Sequence, residues 1–184
     1  GMGILDIINI TAPLAPKVSA SQWPDMDMLV VGLDGKGGPS SDLGGHGCSD
    51  IEYQTQMSMW CMLSSPLAMS NDLRKLTPEA RRILLNEEVI AINQDSLGSA
   101  AERKVNMDTY QLYVRPLSGN RHAVALLNTS DAPLTLTANF ASLGLNKRYT
   151  IRNVWQHKTV ATKARMWKGK VQPHETVVLV LTEG

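Results

Sequence analysis

The sequence predicts an α/β segment over residues 1–98 followed by an antiparallel β-sandwich over residues 99–184. Three observations predict it. Upstream of Leu97, short continuous apolar runs alternate with capped helical segments, the rhythm of a βαβα unit built on a parallel sheet. Downstream, six or more short strand-like segments follow one another with polar turns and no helix between them. The rhythm changes between residues 97 and 104, and 184 residues that are 43% hydrophobic leave room for one large or two small globular domains.

Taken in order, Met28-Leu29-Val30-Val31 is a continuous apolar run, the pattern of a strand buried on both faces. A Gly-rich polar loop follows from Gly32 to Gly47. Ser49 then serves as N-cap with Glu52 three residues on, a capping box in which each side chain takes the other's free backbone N–H. Tyr53, Met57, Trp60 and Cys61 fall on one face of the helix this opens. Ser64-Ser65-Pro66 stops it, and Leu67-Ala68-Met69 makes a second short buried strand. Thr77-Pro78 starts another helix, with Ala80, Ile83 and Leu84 on its inner face. In the second half, Tyr110–Val114 and His122–Leu127 read as strands around a Gly119-Asn120 turn. Leu134–Thr137 alternates apolar and hydroxylated residues, and Tyr149–Trp155 and Thr176–Leu181 continue the pattern.

Composition excludes several classes. A net charge of +1 gives no electrostatic reason to expect nucleic acid or an anionic membrane. No apolar run approaches the roughly 20 residues that span a bilayer. The N-terminus lacks a signal-peptide pattern, and Gly1 before Met2 reads as a residue left by tag cleavage. Cys48 and Cys61 are too few for a disulfide framework; one bridge between them competes with a buried free thiol at Cys61, which is the commoner outcome in an apolar helix.

Several side chains carry chemistry on their face. Asp25 and Asp27, two apart, point the same way on an extended strand. His46, Cys48 and Asp50 are metal-ligand types without a second His/Cys pair at zinc spacing. Gly35-Lys36-Gly37-Gly38 lacks the order of a phosphate-binding loop. Asn128-Thr129-Ser130 is a glycosylation sequon, meaningful only in a secretory eukaryotic context. Asn71-Asp72-Leu73-Arg74 favours a backbone-capping turn over an active-site role. Trp155 and Trp167 favour the sandwich core over sugar stacking.

Three segments together resemble one family. Trp23-Pro24-Asp25-Met26-Asp27-Met28-Leu29 is similar to W-N-D-P-D-M-L at the end of a seventh barrel strand. Pro66–Arg74 resembles the strand-eight motif A-P-L-x-x-S-N-D-L-R, and Glu88–Asp95 resembles the V-I-A-I-N-Q-D that follows the eighth helix. Ile4-Leu5-Asp6 is similar to the end of the sixth helix, and Arg115–Gly119 to a sandwich motif. The family is that of the retaining α-galactosidases of glycoside hydrolase family 27. The resemblance implies a partial (β/α)₈ barrel, strand–helix units 7 and 8, ahead of the sandwich.

It further implies hydrolysis of terminal α-linked galactose without metal or cofactor. Asp27 and Met28 match positions bordering the galactose site, and Asp25 the neighbouring acidic one. Pro24 stands for the family's Asn and Met26 for its Pro. The family's nucleophile (K-x-D) and acid/base (R-x-x-x-D) aspartates have no match, so no catalytic residue is assigned and the chain alone is expected to be inactive. The Gly32–Gly47 loop is longer than in the animal enzymes and would sit above the site. A full barrel takes around 250 residues, so this remnant is expected to present raw strand edges and to self-associate. The alternative is a non-catalytic sandwich module with a structural or weak carbohydrate-binding role.

Overall fold

The computed structural model describes residues 2–35 and 47–184. Helix α1, Ile4–Thr11, opens with the Gly3 N–H donating to the Asp6 carboxylate at 2.9 Å and buries Ile8 and Thr11. A 3₁₀ turn, Ala12–Lys17, leads into the extended segment that carries the apolar run.

The two expected strands lie side by side and parallel, as a single bridge between Leu29 and Met69. Leu29 N–H donates to the Ala68 carbonyl at 2.7 Å, and Ser70 N–H donates back to Leu29 at 3.2 Å. They are shorter than the apolar runs suggest because a parallel strand needs a ladder on each side. Side chains satisfy backbone groups that a neighbour would otherwise take. Gln56 spans the Val30 N–H (2.9 Å) and the Met28 carbonyl (3.3 Å), and Asn71 donates to the Val31 carbonyl at 2.8 Å.

Helix α2, Asp50–Met62, begins with the expected Ser49/Glu52 capping box. It is buried on more than one face: every residue from Thr55 to Met62 is covered. The sandwich covers what the sequence pattern leaves to solvent. Thr55 Oγ1 lies 2.9 Å from Thr176 Oγ1, and the Trp155 indole donates to Ser58 Oγ at 2.9 Å. Helix α3, Pro78–Leu84, is capped by Thr77 with Pro78 in its first turn. Helix α4, Glu87–Asn93, is capped by Asn86, whose amide also donates to the Val154 carbonyl in the sandwich at 3.1 Å.

Eight antiparallel strands follow: β1 Glu102–Asn106, β2 Tyr110–Leu117, β3 Arg121–Asn128, β4 Leu134–Asn139, β5 Tyr149–Asn153, β6 Lys158–Ala164, β7 Met166–Val171 and β8 Thr176–Glu183. Six form one sheet in the order β1-β2-β3-β8-β5-β6, and β4 pairs with β7 in the other. The β2–β3 hairpin turns on Gly119 and Asn120, both at positive φ, the geometry for which that dipeptide is suited. Leu126, Leu136, Phe140, Ile151 and Leu179 fill the space between the sheets.

The other face of the large sheet is equally apolar. Tyr113, Ala123, Ala125, Leu127 and Val178 form one continuous core with Met57, Trp60 and Cys61 of α2. Arg115 of β2 penetrates that core and is fully buried. Its guanidinium donates to the Cys61 carbonyl at the end of α2 and, at 3.4 Å, to the Asn93 carbonyl at the end of α4. Two helix C-termini, each carrying partial negative charge, thus converge on one cation. Burial pushes its pKa down to about 10.

Both cysteines are free. Cys61 is fully buried and its thiol is pushed up to about 12 by that burial. Within the sequon, Asn128 is fully buried, and its amide donates to the carbonyls of Ala132, Val171 and Gln172 at 2.8–3.2 Å. Trp155 is half-buried, with the Arg82 guanidinium 5.4 Å from its ring centroid, and Trp167 packs on the edge of the sandwich core.

Candidate functional site

The residues singled out for substrate contact lie in one turn just ahead of the parallel bridge. Met26 anchors it: its side chain is buried, and its N–H donates to Ser65 Oγ at 3.1 Å. Asp27 then adopts φ +71°, a left-handed conformation that costs most residues about 1–2 kcal/mol and that Asp tolerates better than most. Three hydrogen bonds hold it there. Asp25 Oδ1 accepts the Asp27 N–H at 3.0 Å, Asp27 Oδ1 accepts the Met28 N–H at 2.7 Å, and the Trp60 indole donates to the Asp27 carbonyl at 2.8 Å.

This corrects the simple strand picture. The alternation that aligns Asp25 with Asp27 does not run through a residue at positive φ, and each carboxylate has an oxygen engaged with a backbone N–H of its own turn. The turn still displays chemistry. Asp25 and Asp27 are exposed, and Met28 is 51% exposed. Asp25, Met26 and Asp27 line a cleft of about 390 Å³ whose other wall is Ile7, Ile10 and Thr11 of α1. Aliphatic surface facing two carboxylates suits a polar ligand with one apolar face.

The Asn71–Arg74 segment serves the backbone. Asn71 reaches the Val31 carbonyl, and Asp72 caps a 3₁₀ turn, Leu73–Lys75, by accepting the Arg74 N–H at 3.0 Å. The Arg74 side chain beside it holds the Asp72 carboxyl below the usual carboxylate range.

A second cleft of about 380 Å³, unforeseen in the sequence, opens beside exposed Trp23 and is lined by Ser65, Pro66, Asn93 and Gln94. Its Asn93 amide is committed to the Ser65 carbonyl at 2.8 Å. Among the described residues no group of three or more His, Cys, Asp and Glu could hold a metal, and His46 and Lys36–Gly38 lie outside those residues. Most of the Gly32–Gly47 loop lies outside them too.

The support from Trp60 leaves no mark in the sequence, because its partner is a carbonyl 33 positions away, which no local pattern encodes. Two parallel strand–helix units, whose strand-end turn lines a cleft, thus share one core with an antiparallel sandwich. Comparison with known families narrows this. Residues 2–95 match the family described as "Alpha galactosidase A", and residues 107–181 match "Alpha galactosidase C-terminal beta sandwich domain".

A probable α-galactosidase D of Aspergillus oryzae is 35% identical over 182 residues, which cover 96% of this chain and 26% of the relative. A solved structure of a putative α-galactosidase/melibiase from Bacteroides fragilis superposes with a TM-score of 0.89 at 37% identity, covering 98% of this chain and 38% of that one. α-Galactosidase I from Mortierella vinacea gives a TM-score of 0.86 at 28% identity, with 99% and 45% covered. The chain belongs to the α-galactosidases of glycoside hydrolase family 27 and corresponds to their C-terminal portion. It spans between a quarter and a half of the length of these relatives.

Proposed function

We propose that this chain forms one wall of the sugar pocket of a retaining α-galactosidase, with Asp27, Met28 and Asp25 bordering a terminal α-linked galactose. The observation that carries the reading is the Asp25–Met28 turn. An acidic turn with a residue at positive φ, buttressed by a buried tryptophan and opening on a cleft, is preorganised to present its side chains. The names of the relatives supply the substrate class.

Alone, the chain does not turn over substrate. Retaining hydrolysis needs two carboxyl groups about 5 Å apart, one attacking carbon and one moving a proton. Asp25 and Asp27 are instead tied to backbone N–H groups of their own turn. No metal or cofactor enters this scheme. The remnant is completed by association: Ile10, Met28 and Met69 are 60%, 51% and 46% exposed around a parallel pairing that is a single bridge among the described residues. The direct test is release of nitrophenol from an aryl α-galactoside by the purified chain at high concentration. No release above buffer is expected. Release that Asp27→Asn abolishes would place the chemistry on this turn and overturn the assignment.

A further inference from the structure

The net charge of +1 conceals a strong segregation. Residues 132–174 hold eight of the 18 Lys and Arg and none of the 17 Asp and Glu. Two of the eight are neutralised locally, Lys147 by Glu183 and Arg152 by Glu88. The other six, Arg148, Lys158, Lys163, Arg165, Lys168 and Lys170, are exposed and form no ion pair among the described residues; Arg148 donates to the Lys163 carbonyl at 3.2 Å.

Topology gathers these charges. On β7, Lys168 and Lys170 alternate with the half-buried Trp167 and Gly169, so both stand on the outer face of the two-stranded sheet, about 7 Å apart. Directly across the ladder lie Thr137 and Thr135, and exposed Met166 faces Asn139. Arg165 is the single residue joining β6 to β7, so the basic row turns the corner onto edge strand β6 through Lys163. The nearest carboxylates by sequence, Asp131 and Glu175, lie beyond the far end of the ladder and are engaged by His174 and the Gln172 N–H.

We propose that this strip docks an acidic polysaccharide. The charges select a polyanion. Cations alternating with hydroxyls and one apolar side chain match a chain whose units offer carboxylate, hydroxyl and C–H surface in turn. Single-stranded nucleic acid fits less well: base stacking needs free aromatic faces, and Trp167, the strip's one aromatic, lies against the sandwich core and Gly169. That the partner is a sugar polymer rests on the galactosidase reading. The strip lies on the sandwich, outside the Asp25–Met28 turn, so it would hold a polymer while the pocket works on a terminal unit.

The test is equilibrium titration of the full chain with sodium polygalacturonate, beside neutral dextran and a single-stranded oligonucleotide, at 50 and 200 mM salt. Expected are binding to polygalacturonate alone, a loss of about twentyfold across that salt range if three ionic contacts release counterions, and at least tenfold weaker binding by R165Q/K168Q/K170Q with an unchanged circular dichroism spectrum. Binding to dextran as strong as to polygalacturonate, tighter binding to the oligonucleotide, no binding to polygalacturonate at 50 mM, or a variant that binds like the parent would each overturn it. The titration involves no turnover, so its failure is distinguishable from failure of the galactosidase reading.

Discussion

Replacing Arg115 separates the two roles its side chain plays between sandwich and barrel remnant. Arg115→Met keeps most of the aliphatic stem and removes the guanidinium. The Asn93 carbonyl then loses its donor and the Cys61 carbonyl keeps only backbone N–H donors such as that of Ser64 at 3.4 Å, at about 1.5–3 kcal/mol for each charge-assisted bond lost. Against this stands relief of burying a cation. The fall in its pKa from the ordinary 12.5 to about 10 corresponds to roughly 3 kcal/mol. The balance is a loss of between zero and about 3 kcal/mol. Arg115→Ala adds a cavity in the shared core and should lose about 3–5 kcal/mol. Urea denaturation followed by far-ultraviolet circular dichroism reads both. Amide exchange at Leu63, whose N–H bonds to Met59 in the last turn of α2, reads local loosening. A Met variant as stable as the parent, with unchanged exchange at Leu63, would refute the idea that this cation clamps two helix ends.

Other outcomes follow from the same geometry. The Arg152 guanidinium beside Glu88, with His157 adding to it, holds that carboxyl below its ordinary range. A depressed folded-state pKa means stability that is present above the unfolded value of about 4.3 and lost as pH falls through the folded one. Glu88→Gln should therefore flatten the acid side of the stability profile below about pH 4.5, as measured by denaturant midpoints at successive pH values. In the native chain an aromatic disulfide reagent should titrate Cys48 slowly and leave Cys61 unmodified until unfolding, because Cys61 is fully buried; a Cys48→Ser chain that still reacts quickly would contradict this. Light scattering should show mass rising with concentration, and Ile10→Lys should reduce that rise. A monodisperse monomer at high concentration would count against completion by association.

Much of the fold was legible because it is written locally. Ser49 with Glu52 and Thr77 with Pro78 cap helices through atoms three residues apart, so their spacing in the chain already contains the geometry. Outer strands such as β1 and β4 alternate because one side of each faces a core, whereas β2, β3 and β8 run almost continuously buried because both of their sides are covered. Illegible features depend on distant partners. Thr55, Gln56 and Ser58 look like the solvent face of α2, yet they bond Thr176, the Met28–Val30 backbone and Trp155. The Asn128 sequon is a three-residue pattern blind to the carbonyls of Val171 and Gln172 that surround it. At the site, the positions of Asp25, Asp27 and Met28 could be read from the motif, but the φ of Asp27 could not. It depends on an indole arriving from α2. Net charge likewise averaged away a basic strip that only topology assembles.

The most direct measurement on the central claim joins residues 2–184 to the upstream portion of the Bacteroides fragilis relative, whose matching part superposes with a TM-score of 0.89. The chimera is assayed on an aryl α-galactoside. Expected are hydrolysis by the chimera, at least a hundredfold loss with Asp27→Asn, and none by either part alone. A folded chimera without activity, or one indifferent to Asp27→Asn, would contradict the assignment of this turn to the galactoside pocket.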